Sequence, residues 1–318
     1  MDIYRDYFSR EQLLLSLANV QFQPGQIGAS GLFETLQLTG TTFAIEVTPD
    51  NNVAEMTARP RGAPALPVNL EKRFVETFTI TSGYPQVGTV LADEVLNIRT
   101  AGTSGAAEVL TQRRDELVSK LTRQMEWQHE YLRIACLNSP SNALGSAPAA
   151  AVVAFGSNDS ALRTAIHNNI ILPMESALGG IPYSGLDAWC SNDYWVAFIE
   201  SKTVKETYLN YQAAAELRGS PADMFEYGGI TWRRVRAGGN IAITSGQAKI
   251  VPRGVPGLFK QAFAPNDTLS SVGQGALGQP YYIASKILDD DKGFQITLDS
   301  YPMMLCTRPT CVLTVDLS

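Results

Sequence analysis

Histidine is nearly absent from this sequence. His129 and His167 are the only two in 318 residues, and they sit in distant segments. Cysteine is hardly commoner. Cys136, Cys190, Cys306 and Cys311 are scattered, with no C-x-x-C pair. A zinc site of the Cys/His kind needs clustered ligands, so none is expected. The thiols read as free, buried side chains. Cys306 and Cys311 are close enough to meet across a hairpin, but a cytosolic chain gives little reason to oxidise them. Long apolar runs are missing too. The longest, "AAAVVAF" at 149–155, is far too short to span a bilayer. The N-terminal "MDIYRDYFSREQ" has no apolar stretch and no small-residue cleavage site. It reads as no signal peptide, and synthesis in the cytosol is expected.

A positive charge excess is also lacking. Lys and Arg total 25 against 31 Asp and Glu, a net of −6. A protein that grips nucleic acid through its phosphates needs a basic surface, so that class is disfavoured. The islands "RRVR" (233–236) and "QRRDE" (112–116) are short, and the second reads as a solvated helix face. Of the charged and hydrophobic shares, 18% and 45%, the balance is that of a globular chain and not a disordered one.

Catalytic signatures fail in turn. There is no G-x-S-x-G. His129, beside Trp127 and Glu130, is expected on a helix surface, and His167 in packing or capping. Gly273, Gly275 and Gly278 do spell G-x-G-x-x-G. A dinucleotide fingerprint needs a strand before it and a helix opening inside it. Here a polar stretch precedes, and Pro280, Tyr281 and Tyr282 follow as turn then strand, so a loop is expected. "DDDKG" (289–293) lacks the calcium-loop spacing: Gly293 stands fifth and Ser300 twelfth. It reads as a hairpin turn. No catalytic, cofactor-binding or metal-ligating residue is assigned, and no cofactor.

What is present is periodicity. Residues 5–19 read as a short helix capped by Ser9, with Gln12 as its capping-box partner. Residues 41–48 and 73–82 alternate as strands around a turn-rich excursion, a long hairpin with little to bury by itself. Residues 105–137 carry the strongest signal. Leu110, Leu117, Leu121, Met125, Leu132 and Cys136 form one stripe, and Glu116–Lys120 and Glu130–Arg133 are helically spaced charge pairs. At about 1.5 Å per residue such a helix spans roughly 50 Å. Further helices are expected within 159–177 and 192–217, the latter stopped by Gly219. A strand–turn–strand is expected at 224–239, and three strands from Phe294 broken at Pro302 and Pro309. The class is α+β.

The last quarter carries a family pattern. Pro252, Gly254, Pro256, Gly257 and Phe259 spell P-x-G-x-P-G-x-F. Ala264 and Pro265 follow, then Gly278, Pro280, Tyr281 and Tyr282. Ser300, Pro302, Cys306, Thr307, Arg308 and Pro309 complete it. These motifs resemble the major capsid protein E family of lambda-like tailed phages. Looser likeness continues upstream in "YSGLDAWCSNDYWVAF" and "EYGGITWRRVRAG", with Arg236 where an aromatic is usual. The resemblance implies a Hong Kong 97-type capsid fold. Its parts would be an N-terminal arm (1–39), an extended β-hairpin loop (40–87), a peripheral domain (88–184) with spine helix 105–137, an axial domain (185–285), and C-terminal strands (286–318) returning to the peripheral domain.

It further implies a shell subunit of a virion head, assembled with itself as pentamers and hexamers in the host bacterial cytoplasm. Scaffold, portal and decoration proteins would be its partners, and double-stranded DNA its content, without sequence-specific binding and with no membrane. Arg59, Arg61 and Arg73, in or near the hairpin, and Arg308 are the candidate subunit-contact residues. A prophage-derived nanocompartment shell is the alternative on the same fold. An enzyme of unassigned chemistry and a monomeric binding module are the readings from other classes.

Overall fold

The computed structural model describes residues 8–20, 25–47, 74–96, 106–142, 145–153, 162–205, 223–236, 238, 240–269, 276–289 and 292–317. Gly219, Gly273 and Gly275 lie outside them.

The first described element is helix α1 (Arg10–Asn19), capped as expected: the Ser9 hydroxyl accepts from the Gln12 N–H at 3.4 Å. A single turn, α2 (Gln26–Ala29), leads into strand β1 (Phe33–Gln37). Strands β2 (Thr42–Val47) and β3 (Phe74–Thr79) pair antiparallel with Phe43 opposite Phe78, the hairpin read from alternation. Strand β4 (Gln86–Leu91), the short helix α3 (Ala92–Leu96) and the 33-residue helix α4 (Ala106–Asn138) follow. Then come β5 (Ser141–Asn142), β6 (Gly145–Ser146) and β7 (Ala151–Val153).

The next helix is interrupted. Between α5 (Leu162–Ile166) and α6 (Leu172–Leu178), residues His167–Ile171 form a π-turn. Pro173 has no N–H to donate back and its ring crowds the carbonyl four residues earlier, so the ladder widens there. Strand β8 (Gly185–Cys190), helix α7 (Asn192–Glu200) and the hairpin β9 (Met224–Tyr227) to β10 (Ile230–Arg234) come next. The tight turn between β9 and β10 uses Gly228 and Gly229, both at positive φ. The rest is strand: β11 (Gln247–Arg253), β12 (Phe259–Phe263), β13 (Tyr282–Ile287), β14 (Gly293–Asp299), β15 (Pro302–Cys306) and, after a 3₁₀ turn at Pro309–Cys311, β16 (Leu313–Leu317). Pro302 opens a strand and Pro309 opens a turn, the two places where a missing N–H costs least.

These strands build a mixed six-stranded sheet in the order β7-β16-β11-β8-β10-β9, and two three-stranded sheets, β1-β12-β15 and β13-β14-β4. Two main cores result. One gathers Phe198, Trp232, Tyr194, Ile250 and Val315 with Ile134 and Leu137 from the end of α4. The other gathers Phe8, Leu13, Val90, Ile296 and Leu298 with Val118, Leu121 and Met125 from its middle. The segment before β1 is tied into that second core, with Phe8 stacked on Phe294 at 3.9 Å.

The glycine-rich loop holds no helix in its described part, and strand β13 follows it. Gly278 explains one of its glycines. Its N–H donates to the Leu38 carbonyl at 2.7 Å, and a Cβ there would overlap the Phe263 carbonyl. The position needs hydrogen for backbone to meet backbone, with no phosphate involved. Gly278→Ala is expected to destabilise the subunit by about 2–3 kcal/mol through overpacking against main chain; a urea or thermal unfolding midpoint measures it, and an unchanged midpoint would contradict the contact.

Candidate functional site

Of the four candidate contact arginines, Arg59, Arg61 and Arg73 lie outside the described residues. Arg308 is half-buried at the start of the 3₁₀ turn, where its carbonyl accepts from the Cys311 N–H at 3.1 Å. Its guanidinium has no ion-pair partner among the described residues. The other basic island is occupied inside the chain. Arg234 bonds Asp223 at 2.6 Å, Arg236 bonds the other oxygen of the same carboxylate, and Arg233 lies over the Trp189 ring. Both guanidiniums hold the Asp223 carboxyl below its usual range.

The residues that carried the family resemblance meet in space. Gly254 and Gly257 turn the chain between β11 and β12 at φ +82° and +66°, conformations that L side chains rarely adopt. Thr307 closes that turn: its hydroxyl donates to the Gly257 carbonyl at 2.8 Å and its N–H to the Leu258 carbonyl at 2.9 Å. Phe259 and Cys306 are register partners across β12 and β15. The Tyr282 hydroxyl accepts from the Gln279 N–H at 2.7 Å and donates to the Ala264 carbonyl at 3.3 Å. The motif positions are turn and strand fasteners. Beside them, the Pro252–Phe259 turn, Glu34 and Asp187 line a groove of about 480 Å³, with Asp187 already bound by Arg253 at 2.7 Å.

Helix α4 departs from its expected pattern. The apolar stripe holds at Leu110, Leu121 and Met125, but Arg114, Glu126, His129, Glu130 and Arg133 are buried as well. His129 is therefore not a surface residue, and "QRRDE" is not wholly solvated. Glu116 pairs with Arg113 at 2.9 Å, not with Lys120. Glu130 and Arg133 do pair, at 3.3 Å, deep inside. The Glu130 carboxylate also accepts from the N–H groups of Ile27 at 2.7 Å and Gly28 at 3.1 Å. Arg133 donates twice to the Gln261 side-chain oxygen, at 3.0 and 3.2 Å, and Gln261 donates to the Thr35 hydroxyl at 2.6 Å. Gly25 and Gly28 make the seat: a Cβ at the first would overlap Glu130, and at the second would press on Arg133. One pair thus joins α4, the α2–β1 segment and β12.

Two neighbours titrate away from their ordinary values. Burial raises the Glu126 carboxyl from 4.5 to about 7, against a smaller lowering by Arg133 and with a contribution from Glu130. Neither Glu126 oxygen has a hydrogen-bond partner among the described residues. His129 bonds the Ser300 hydroxyl at 2.8 Å and stacks near Tyr281. Burial first, then Arg133, pushes it down to about 3. It stays neutral at working pH, far from the range a general base needs.

No group of three or more His, Cys, Asp or Glu among the described residues is placed to hold a metal ion. All four cysteines are free, with three of them buried. No helix among the described residues is long and apolar enough to cross a membrane. The described geometry is one of fasteners and surfaces.

Known proteins supply the remaining observation. The family model described as phage major capsid protein E matches residues 9–317. The chain belongs to this capsid family. Among solved structures, this capsid chain is similar to the putative capsid protein of a prophage from E. coli CFT073, at 15% identity and a TM-score of 0.60, covering 97% of this chain and 99% of that one. It is also similar to the capsid of Ralstonia phage GP4, at 14% identity, a TM-score of 0.51 and coverage of 90% and 85%. A phage-related protein of Bordetella bronchiseptica RB50 matches at 11% identity and a TM-score of 0.51, covering 96% and 95%. No curated protein matches. The capsid chain therefore has the Hong Kong 97-type fold that the motifs implied.

Two outcomes follow for this capsid subunit. Glu130→Ala strands Arg133 and two N–H groups, and removing one partner of a buried pair costs about 3–5 kcal/mol; denaturant titration reads it. Glu126 acts in the opposite direction. Its folded value lies above its unfolded one, so its stabilising share is full below pH 4.5 and lost as pH rises through about 7. Glu126→Gln is expected to raise the melting temperature at pH 8 and to change it little at pH 5. A gain that is the same at both pH values would contradict the assignment.

Proposed function

We propose that this chain is the repeating shell subunit of a tailed-phage head, closing as pentamers and hexamers around double-stranded DNA. The observation that carries the reading is the phage capsid family match over residues 9–317, supported by the shared fold. The alternative, a prophage-derived nanocompartment on the same fold, has the weaker support because the family is a phage one.

Shells work by heterologous contact repeated from copy to copy. A fixed contact angle closes rings, and small variation in that angle closes a sphere. Each contact is individually weak and many neighbours hold each subunit. In this reading residues 1–39 are the arm, 40–87 the reaching loop, 88–184 the peripheral domain, 185–285 the axial domain, and 286–318 the returning strands. The paired bases of the reaching loop are β2 and β3, held to the subunit by Ile45 against Leu305. A two-stranded ribbon gains stability from a surface to lie on. Arg59, Arg61 and Arg73 supply charge for acids of the next copy, and Arg308 offers a half-buried guanidinium with no ion-pair partner among the described residues. The acidic balance suits a wall that packaged DNA must slide past. Scaffold, portal and decoration proteins complete the assembly, which takes place in the host cytoplasm, and the subunit itself does no chemistry.

Reversing Arg59 and Arg61 together to Glu is expected to cut the yield of particles in negative-stain electron microscopy while leaving circular dichroism unchanged. Particles at the wild-type yield would remove both residues from the contact.

A further inference from the structure

Between Gln112 and Arg133, helix α4 leaves one side uncovered by the described residues. The buried residues of that stretch, Val118, Met125, His129 and Arg133 among them, share one face. At about 100° per residue, Trp127 and Tyr131 fall on the opposite one. Trp127 is 43% exposed, and its ring stacks on Tyr131 with centroids 6.2 Å apart and planes 6° apart. Lys120 and Arg123 are exposed on the same side, and no ion pair among the described residues engages them. From Lys120 to Tyr131 the face runs for about 16 Å. Trp, Tyr and Arg are the residue types that carry most of the binding energy at protein interfaces.

Matching chemistry stands on the other side of the same layer. Gly88 and Val90 of β4 face α4: a Cβ at Gly88 would press on Leu117, and Val90 shares the core of Met125. Strand alternation turns Val87 and Leu91 away from the helix, where they are 54% and 40% exposed. Glu94, just beyond on α3, is exposed as well. One surface is aromatic and cationic, and the other is aliphatic and acidic.

We infer that the Lys120–Arg123–Trp127–Tyr131 face receives a second copy of this chain, seated through its Val87–Leu91–Glu94 strip. The inference rests on the shell reading. Two different patches meet, so the contact is heterologous and each copy keeps a free patch for the next. The aliphatic strip covers the aromatic stack, and Glu94 of the incoming copy lies against the cations. The acid excess of the chain, −6, favours a copy of itself over nucleic acid as the occupant.

Trp127 provides its own probe. The other tryptophans, Trp189, Trp195 and Trp232, are at most 2% exposed. Iodide quenching of tryptophan fluorescence in the full chain therefore reads this face. A quenchable component is expected in dissociated subunits and is expected to vanish in particles purified free of nucleic acid. Trp127→Ala with Tyr131→Ala, and separately Lys120→Glu with Arg123→Glu, are expected to lower association by about tenfold or more with folding intact, since all four side chains lie outside the core. Glu94→Lys added to the second pair is expected to restore it. Particles that form with Trp127 still quenchable, or equally well from both variant pairs, would overturn the inference and leave the shell reading standing. Failure of Glu94→Lys to restore assembly would overturn the named strip. Protection that appears only with nucleic acid present would assign the face to nucleic acid instead. Wild-type chain that stays monomeric at high concentration, with Trp127 quenchable, would remove the shell reading and this contact together.

Discussion

A buried ion pair is tolerated only while every lone pair and proton around it is satisfied. That condition governs the Glu130–Arg133 pair, and much of the subunit is arranged to meet it. The carboxylate takes two main-chain N–H groups from the α2 turn, and the guanidinium takes Gln261. Neither partner is on α4 itself. The helix therefore cannot form its polar middle without the N-terminal segment and β12 in place. Gly25 and Gly28 matter for the same reason, because a side chain at either would occupy the space of the charged groups.

The pair sits where α4 passes from one core to the other. Val118, Leu121 and Met125 serve the core around Phe8 and Ile296, and Ile134 and Leu137 serve the one around Phe198 and Trp232. Between them the buried residues turn polar: Glu126, His129, Glu130 and Arg133. A helix of this length bridging two cores needs directional contacts to set its rotation, which apolar packing alone specifies loosely. Glu126 shows the cost. It is buried with no hydrogen-bond partner among the described residues, and burial raises its carboxyl to about 7.

For a shell protein the surfaces matter as much as the interior. Phe43, Ile45 and Phe78 anchor the hairpin inward, while Val75 on β3 remains 64% exposed. Val87 and Leu91 repeat the pattern on β4, and Trp127 on α4. Scattered exposed apolar residues are ordinary. Here they lie on elements whose opposite faces pack against the subunit. A shell subunit can use such two-sided elements, with one side for folding and one for assembly.

Local order was legible in the residues. The alternation at 42–47 and 74–79, the Ser9 cap, the Gly228–Gly229 turn and the strand breaks at Pro302 and Pro309 all rest on period and backbone freedom, which a chain carries in its order. The family motifs were legible too, and they are turn and strand fasteners. Burial of charge was not. A Glu three residues before an Arg has the same spacing on a solvated face and in a core, and only the chain folded over it tells them apart. His129 beside Trp127 looked like the surface residue of the two, yet the histidine is inside and the tryptophan outside. By itself the sequence determined the long helix, the strand pairs at 42–79 and 224–234, the C-terminal strands and the family. The rotation of α4 about its axis, and with it which residues became core and which became surface, was decided by the tertiary structure, because three segments far apart in the chain had to meet at Glu130 and Arg133.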